Sequence, residues 1–247
     1  MDKLVSVIIG IYNGEKYIFE TINSILQQTY KDFEVLIVVN CTNDLTKEIL
    51  KKFNDDRIKV YETNICQLAF NLNYGLLHAN GEYIVRIDSD DIAEPERIEK
   101  QLTVILNNDY DIVGSNVTYI DEAGKVIGEK KYPEFNKTIR RNIMFASPLA
   151  HPSVMYKKSV ILKAAGYMNG RVSEDYDLWL RLMRDKNIKF YNIQEKLIKY
   201  RIHSSQAKGV KLAYYEIAGY MIRETLYQRS LKHFIGFCIY IMKSLLK

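Results

Sequence analysis

The chain has 247 residues, of which 47% are hydrophobic and 26% are charged. This length and composition are typical of a soluble globular protein with a sizeable core, built as one large domain or as a core domain with an additional C-terminal part. The net charge of +5 is modest, and no block of interleaved arginine and aromatic residues accompanies it, so a nucleic-acid-binding protein is not indicated.

The N-terminal residues and the cysteines bear on the cellular compartment. The chain leads directly into an apolar segment, and the length and flanks of this segment differ from those of a signal peptide. Cys41, Cys66 and Cys238 are far apart and include no CxxC pair, so we expect neither a disulfide framework nor a zinc site. These features predict a cytoplasmic protein.

The first third of the chain alternates apolar strands with helices. Strands are predicted at 4–10, 33–39, 57–61 and 82–87, and helices at 17–26, 44–53 and 68–79. Because each strand is continuously apolar, the pattern predicts an α/β fold with a mostly parallel, Rossmann-like sheet and helices on both faces. Ligands of such sheets bind beyond the carboxyl ends of the strands.

The pattern is less regular in the rest of the chain. Helices are predicted at 95–107, 136–144, 157–165 and 174–186, and strands at 111–120, 125–132 and 197–202. The final segment, 231–243, is apolar but shorter than the ~20 residues of a membrane-spanning helix, and Lys232, Lys243 and Lys247 accompany it. Two hypotheses remain open: a helix lying on the inner face of the cytoplasmic membrane, or a helix packed on the domain or in a homodimer interface.

Three carboxylates stand within four positions after the strand at 82–87, at Asp88, Asp90 and Asp91. They repel one another unless a cation lies between them, and their hard oxygen ligands suit magnesium or manganese. The alternative is that they only cap the next helix, and for Asp91 both interpretations stay open. For Asp88 and Asp90 a ligand site is favoured, because polar segments at 12–14 and 40–44 follow the first two strands and converge on the same edge.

A series of short motifs, in order and at plausible spacing, resembles the family-two glycosyltransferases, the inverting enzymes of the A-type glycosyltransferase fold. The resemblance runs from about residue 4 to 206. The motifs are 5–9 with Tyr12-Asn13-Gly14, 24–30 with Phe33-Glu34, 72–75, 79–84, 86–91 with Pro95 and Arg97, 151–155, 174–181 and 200–203.

This resemblance implies a metal-dependent enzyme that moves a sugar from a nucleotide-sugar, expected to be UDP-linked, to a glycan or polyprenyl-linked acceptor in surface polysaccharide assembly. The transfer would be a direct displacement at the anomeric carbon without a covalent intermediate. It also implies a catalytic domain at 1–206, with a nucleotide-sugar-binding half at 1–92 and an acceptor half at 93–206. Residues 207–247 are then a C-terminal helical extension.

The resemblance assigns the ionic groups as follows. Asp90 and Asp88 would hold Mn²⁺ or Mg²⁺, with His203 beside them, and the metal would neutralise the departing diphosphate. Asp175 would be the catalytic base, with Glu174 as its nearest rival. A carboxylate in the first turn of a helix is stabilised as an anion, although the same effect favours acidic residues at the start of any helix.

The residues expected to bind the nucleotide depart from the family pattern. The family usually carries two acidic residues after the second strand, where this chain has Val39 and Asn40. An asparagine amide still offers an acceptor and a donor to a uracil ring. The residues expected to bind the nucleotide-sugar are Tyr12, Asn13, Asn40, Asn73, Arg86, Asp88, Ser89 and Arg201.

The sequence leaves two alternative functions to consider. A sugar-nucleotidyltransferase usually has a glycine-rich basic loop after its first strand, and residues 10–15 do not supply one. A non-catalytic member of the fold, which only binds nucleotide or protein partners, is suggested by Val39 and Asn40.

For His151, a structural turn and a role in the site are both open.

Overall fold

The structure is a computed structural model that describes residues 3–168, 170–204 and 211–246. Its strands are β1 (Val5–Ile11), β2 (Phe33–Asn40), β3 (Ile58–Thr63), β4 (Tyr83–Arg86), β5 (Ile92–Ala93), β6 (Ile112–Ile120), β7 (Val126–Lys130), β8 (Met155–Lys157) and β9 (Phe190–Arg201). Its α-helices are α1 (Ile18–Leu26), α2 (Thr46–Leu50), α3 (Leu68–His78), α4 (Arg97–Asn108), α5 (Asn136–Asn142), α6 (Lys158–Lys163), α7 (Glu174–Leu182), α8 (Lys211–Gln228) and α9 (Leu231–Leu245). A short 3-10 helix spans His151–Ser153.

The strands form one mixed sheet in the order β3-β2-β1-β4-β8-β6-β9-β5, with β7 paired to β6. The first four strands of this order are parallel, and β8 runs antiparallel between β4 and β6. Since β9 is parallel to β6, it ends at the same edge of the sheet as β4. This topology brings the residues after β1, β2, β4 and β9 together, and it confirms the predicted α/β fold.

Side chains of β1 alternate between two hydrophobic layers, one on each face of the sheet. Val7 and Ile9 lie in the layer that contains Ile22 of α1, whereas Ile8 lies in the layer that contains Leu72 of α3. All five side chains are buried, and each contributes about 1.5–3 kcal/mol relative to full exposure. The continuous apolar runs of the sequence therefore reflect a sheet that is covered by helices on both faces.

The sequence suggested no disulfide framework, and the disulfide between Cys41 and Cys66 corrects that expectation. Cys41 follows β2 and Cys66 precedes α3, and their Cα atoms lie 5.8 Å apart, within the normal range for a bridge. The parallel pairing of β2 with β3 places both segments at the same edge of the sheet. Nothing in the spacing of 25 residues reveals that approach.

Several predicted boundaries were wrong. The short antiparallel strands β5 and β8 were not predicted, and the helix expected at 157–165 is the shorter α6. The strand expected at 197–202 is only the end of β9, which begins at Phe190. Exposed Gln194, Glu195 and Lys196 interrupt its apolar pattern at a register shift against β6.

The C-terminal helices α8 and α9 pair with each other and pack on α7. Asp177 of α7 is fully buried and forms ion pairs with Arg181 and with Arg223 of α8. The hydroxyl groups of Tyr176 in α7 and Tyr240 in α9 lie 2.9 Å apart. The expected boundary between residues 206 and 207 lies outside the described residues, as does Lys247.

Among the residues that the structure describes, no helix combines the length and the apolar character needed to cross a membrane.

Candidate active site

The chain turns sharply after β4 and gathers the carboxylates of Asp88, Asp90 and Asp91, whose ligand atoms lie within 4.8 Å of one another. The side chain of Asp91 is fully buried. Its Oδ1 accepts a hydrogen bond of 2.8 Å from the backbone N–H of Arg201, whereas its Oδ2 has no hydrogen-bond partner in the described part of the chain. Burial and the neighbouring carboxylates raise the pKa of Asp91 well above its usual range.

Arg86, the last residue of β4, supplies a positive charge beside this cluster. Its guanidinium is buried and forms an ion pair of 2.6 Å with Asp88. Two of its groups, Nε and Nη1, have no hydrogen-bond partner among the described residues. Arg86 thus offsets one of the negative charges and keeps donors for a further anion.

His203 approaches the cluster from the segment after β9. Its Nε2 lies 2.8 Å from Oδ2 of Asp90. The cluster therefore combines three hard oxygen donors, one of them on a buried carboxylate oxygen without a partner, with an imidazole at its rim. This donor set fits Mg²⁺ or Mn²⁺, both of which prefer carboxylate ligands.

The first turn of α7 presents two further carboxylates, Glu174 and Asp175. Burial and the neighbouring Asp175 raise the pKa of Glu174 to about 7. Burial also raises the pKa of Asp175 to about 6. Ser173, at the N-cap position, makes no capping hydrogen bond with its side chain, which is bonded instead to Glu216 of α8. Both carboxyl groups are thus poised to exchange protons near neutral pH.

Glu174 and Asp175 differ in their surroundings. The buried Glu174 places Oε1 3.8 Å from Nδ1 of His151. His151 is itself buried, with Nε2 3.0 Å from the hydroxyl of Tyr167, and burial lowers its pKa well below the usual value. Asp175 is half-buried. Glu174 thus belongs to a buried polar network, while Asp175 retains access from the cleft.

One cleft of about 590 Å³ unites the cluster and the start of α7. The predicted site residues that line it are Arg86, Asp88, Ser89, Asp90, Glu174, Asp175 and His203, together with His151. Sequence reasoning missed another part of its lining, namely Lys130, Tyr132, Tyr200, Tyr214, Tyr240 and Lys243. Tyr200 lies in the motif at 200–203 but was not expected to line the site, and no motif marks the other five residues.

Tyr12, Asn13 and Asn40 lie at the same edge of the sheet but do not line the cleft. Tyr12 is 59% exposed. The backbone N–H of Asn13 donates to Oγ1 of Thr42 at 3.3 Å, which connects the loops after β1 and β2. Asn40 is buried at the end of β2, and its Oδ1 has no hydrogen-bond partner within the described residues.

Asn73 and Arg201 are also outside the cleft. Asn73 is engaged on both sides of its amide by the backbone of Tyr167, at 2.6 and 2.9 Å. The buried guanidinium of Arg201 donates to the backbone oxygen of Asp90 and pairs with Glu20. In this structure both residues hold neighbouring segments in place.

Comparison with known proteins shows which family the chain belongs to. The sequence model of glycosyl transferase family 2 matches residues 6–163. The chain is 42% identical to the O-antigen biosynthesis glycosyltransferase WbnJ of Escherichia coli, over 99% of this chain and 97% of that protein. It is 35% identical to the putative glycosyltransferase EpsE of Bacillus subtilis, over 98% of this chain and 88% of the relative.

The fold is similar to that of the solved structure of S. aureus TarS 1–349 in complex with UDP-GlcNAc, with a TM-score of 0.73 and 21% identity. That match covers 90% of this chain and 66% of the TarS chain. The same TarS fragment in complex with UDP gives a TM-score of 0.70 at 20% identity, over 90% of this chain and 65% of that chain. The chain therefore belongs to glycosyl transferase family 2, has the A-type glycosyltransferase fold and is a glycosyltransferase.

Proposed function

We propose that the protein is a metal-dependent inverting glycosyltransferase that uses a UDP-sugar. The observation that carries this proposal is the cleft itself, which has the carboxylate cluster on one wall and the raised-pKa carboxyl group of Asp175 on another. Direct displacement needs these two functions: stabilisation of a departing diphosphate, and removal of a proton from the attacking hydroxyl.

The leaving group belongs at the carboxylate cluster. Asp90 and Asp88 would hold Mn²⁺ or Mg²⁺ with His203 beside them, and the bound ion would supply the positive charge that a diphosphate needs. Arg86 would donate from its unpartnered Nε and Nη1 toward the same anion or toward a sugar hydroxyl. Asp91 would fix the shape of the cluster through its hydrogen bond with the backbone of Arg201.

Asp175 is the proposed base. It takes the proton of the acceptor hydroxyl as that oxygen attacks the anomeric carbon and the bond from this carbon to the diphosphate breaks. A base with a pKa near 6 is largely ionised at neutral pH and still accepts a proton readily. Glu174 is assigned a positioning role, because it is buried against His151.

Uridine selection is assigned to the loops after β1 and β2. The unpartnered Oδ1 of Asn40 would accept the N–H of the uracil ring, and the exposed ring of Tyr12 would stack on the base. The TarS structures with UDP-GlcNAc and UDP support this donor class. Asn13 would hold the two loops in register.

The acceptor is proposed to be a glycan or a polyprenyl-linked saccharide of a surface polysaccharide. The identity of 42% with an O-antigen biosynthesis glycosyltransferase supports this assignment. We assign residues 1–92 to donor binding and residues 93–206 to the acceptor, with the C-terminal helices as an extension that lines the same cleft through Tyr214 and Tyr240.

Calorimetric titration tests the proposal. UDP, GDP, CDP and dTDP are titrated with and without Mn²⁺ into the wild-type protein and three variants: Asp90→Ala, Asp175→Asn and the exposed control Asp56→Asn. We expect manganese-dependent binding selective for UDP, abolished by Asp90→Ala and retained in the other two variants. Transfer with a UDP-sugar and lipid-linked acceptors should be lost in both Asp90→Ala and Asp175→Asn.

Two results would contradict this division of roles. Equal loss of UDP affinity in Asp90→Ala and Asp175→Asn would show that Asp175 does not act only as the base. Nucleotide binding of normal affinity without turnover on any donor and acceptor would favour a non-catalytic member of the fold, as Val39 and Asn40 suggest.

A further inference from the structure

Helix α9 packs on the domain through its small and polar side. Gly236, Tyr240 and Ser244 are buried, and they recur every four residues, so they form one stripe along the helix. Gly236 is closely packed, since a Cβ atom there would lie 3.0 Å from the sulfur of Met221 in α8. The inward face of α9 is thus formed by a glycine that allows close contact with α8 and by two side chains that carry hydroxyl groups.

The opposite side of α9 is apolar and exposed. At 3.6 residues per turn its members fall on one face, which we name the α9 face: Leu231, Phe234, Ile235, Cys238, Met242, Leu245 and Leu246. Leu231 is 72% exposed and Leu245 is 73% exposed. A contiguous apolar face of this kind on a helix that is already packed indicates a second, external contact.

The charges around the α9 face have one sign. Residues 225–246 contain no aspartate or glutamate, but they include Arg229, Lys232 and Lys243. Of these, Lys232 and Lys243 lie beside the apolar stripe, and Arg229 lies in the short connection between α8 and α9. A basic border on an apolar helix face is complementary to an anionic membrane surface.

A cavity of about 500 Å³ continues the same surface between α5 and α9. Ile143, Met144, Leu180, Met183 and Ile235 give it apolar walls. Lys137, Arg141 and Lys232 also line it, and none of these three forms an ion pair with a described residue. Apolar walls beside unpaired cations fit a lipid with an anionic headgroup.

This surface adjoins the catalytic cleft. Phe145 lines both the cavity and the cleft, and Lys243 of α9 lines the cleft while its Nζ donates to the backbone oxygen of Phe145. If the protein contacts a bilayer through the α9 face, its cleft lies next to the bilayer surface.

We propose that the α9 face, with its basic border and the adjoining cavity, docks the enzyme on an anionic phospholipid bilayer. The docked orientation brings the cleft next to the headgroups, where a lipid-linked acceptor presents its sugar. The use of such an acceptor rests on the proposed function. The membrane binding itself does not depend on it.

Vesicle sedimentation with the full chain tests the proposal. The vesicles are phosphatidylcholine with and without phosphatidylglycerol, and the variants are Ile235→Glu/Leu245→Glu, Arg229→Glu/Lys232→Glu and the control Leu77→Glu on α3, where the leucine is 70% exposed. We expect binding to the anionic vesicles only. The first variant should lose it, the second should bind about tenfold more weakly at low salt, and the control should bind like the wild type.

Cys238 provides an independent measurement, because it is the free cysteine on the α9 face when Cys41 and Cys66 are bridged. An environment-sensitive fluorophore on Cys238 should shift to the blue with phosphatidylglycerol vesicles and not with phosphatidylcholine alone. Circular dichroism and UDP titration of Ile235→Glu/Leu245→Glu in solution should match the wild type, which separates a failure of docking from a failure of catalysis or folding.

Three outcomes would overturn the proposal. In the first, Ile235→Glu/Leu245→Glu binds the vesicles as the wild type does. In the second, the wild-type protein binds no vesicles. In the third, light scattering finds a wild-type dimer that Ile235→Glu/Leu245→Glu dissociates, and the dimer binds no vesicles, which would assign the face to a second copy of the chain.

Discussion

The backbone N–H of Arg201 donates a hydrogen bond of 2.8 Å to Oδ1 of Asp91, although 110 residues separate the two in the sequence. The bond joins the end of β9 to the carboxylate cluster after β4. Asp91 is therefore neither a simple helix cap nor a group free to turn toward solvent. The shape of the cluster depends on a strand that enters the sheet late in the chain.

The first prediction concerns this bond. Asp91→Ala leaves the buried N–H of Arg201 without its acceptor and should lower the free energy of unfolding by about 1–3 kcal/mol. Asp91→Asn keeps an acceptor oxygen and removes a carboxyl group whose charged form is disfavoured by burial and by the neighbouring carboxylates, so in the metal-free protein it should be clearly less destabilising. Urea denaturation in the presence of a chelator measures both. The idea is wrong if the two variants are equally destabilised.

The second prediction is a pH dependence set by the first turn of α7. Because the proposed base, Asp175, has a pKa of about 6, the transfer rate should rise as the pH increases through about 6. The residual activity of Asp175→Asn should not show this rise. Burial raises the pKa values of Glu174 and Asp175, so the folded protein binds more protons than the unfolded chain. Their contribution to the free energy of unfolding should thus fall as pH rises from 3.8 to about 7.

A pH–rate profile and urea denaturation at several pH values measure these effects. The control is Glu174→Gln, which removes one buried titrating group and should flatten part of the stability change. A transfer rate that is constant between pH 5 and 8, in a buffer series of constant ionic strength, would contradict the assignment of Asp175.

The third prediction concerns uridine selection by Asn40. Asn40→Leu removes the buried acceptor and should weaken UDP binding by about tenfold to a hundredfold, and with it the preference over CDP. Asn40→Asp retains an acceptor and should keep that preference. Competition titration with UDP and CDP measures it. Unchanged selectivity in Asn40→Leu would place base recognition elsewhere.

The fourth prediction concerns the Cys41–Cys66 disulfide. It closes a segment with a sequence separation of 25, so reduction should lower the free energy of unfolding by about 3 kcal/mol. Cys41→Ser/Cys66→Ser should show the same loss without reductant, and Cys238→Ser should show none. Thermal or urea unfolding with and without dithiothreitol measures this, and alkylation followed by mass spectrometry counts the free thiols. Three alkylated cysteines in the oxidised native protein would contradict the bridge.

Much of the structure of residues 3–92 was predictable, because the sequence signals for it are local. The strands β1, β2 and β4 are continuous apolar runs, and Asp88 and Asp90 follow such a run directly. Parallel strands end at one edge of the sheet, so the convergence of these segments followed from topology alone.

The remaining features depend on approach in space. β5 and β8 have two and three residues, too few for any periodicity to mark them. The partnership of Cys41 with Cys66 and the bond of Asn73 to Tyr167 arise only once the sheet has formed. The roles of Tyr214 and Tyr240 in the cleft lining depend on how the last two helices fold back on α7, and no motif encodes that.

The two walls of the cleft have separate architectural origins. The carboxylate cluster belongs to the edge of the sheet and lies within the segment that the family shares, whereas Tyr214, Tyr240 and Lys243 come from helices beyond it. Substitutions in those helices can reshape their wall of the cleft while the sheet edge stays unchanged. Under the proposed function, such a division would let related enzymes keep one donor and accept different glycans.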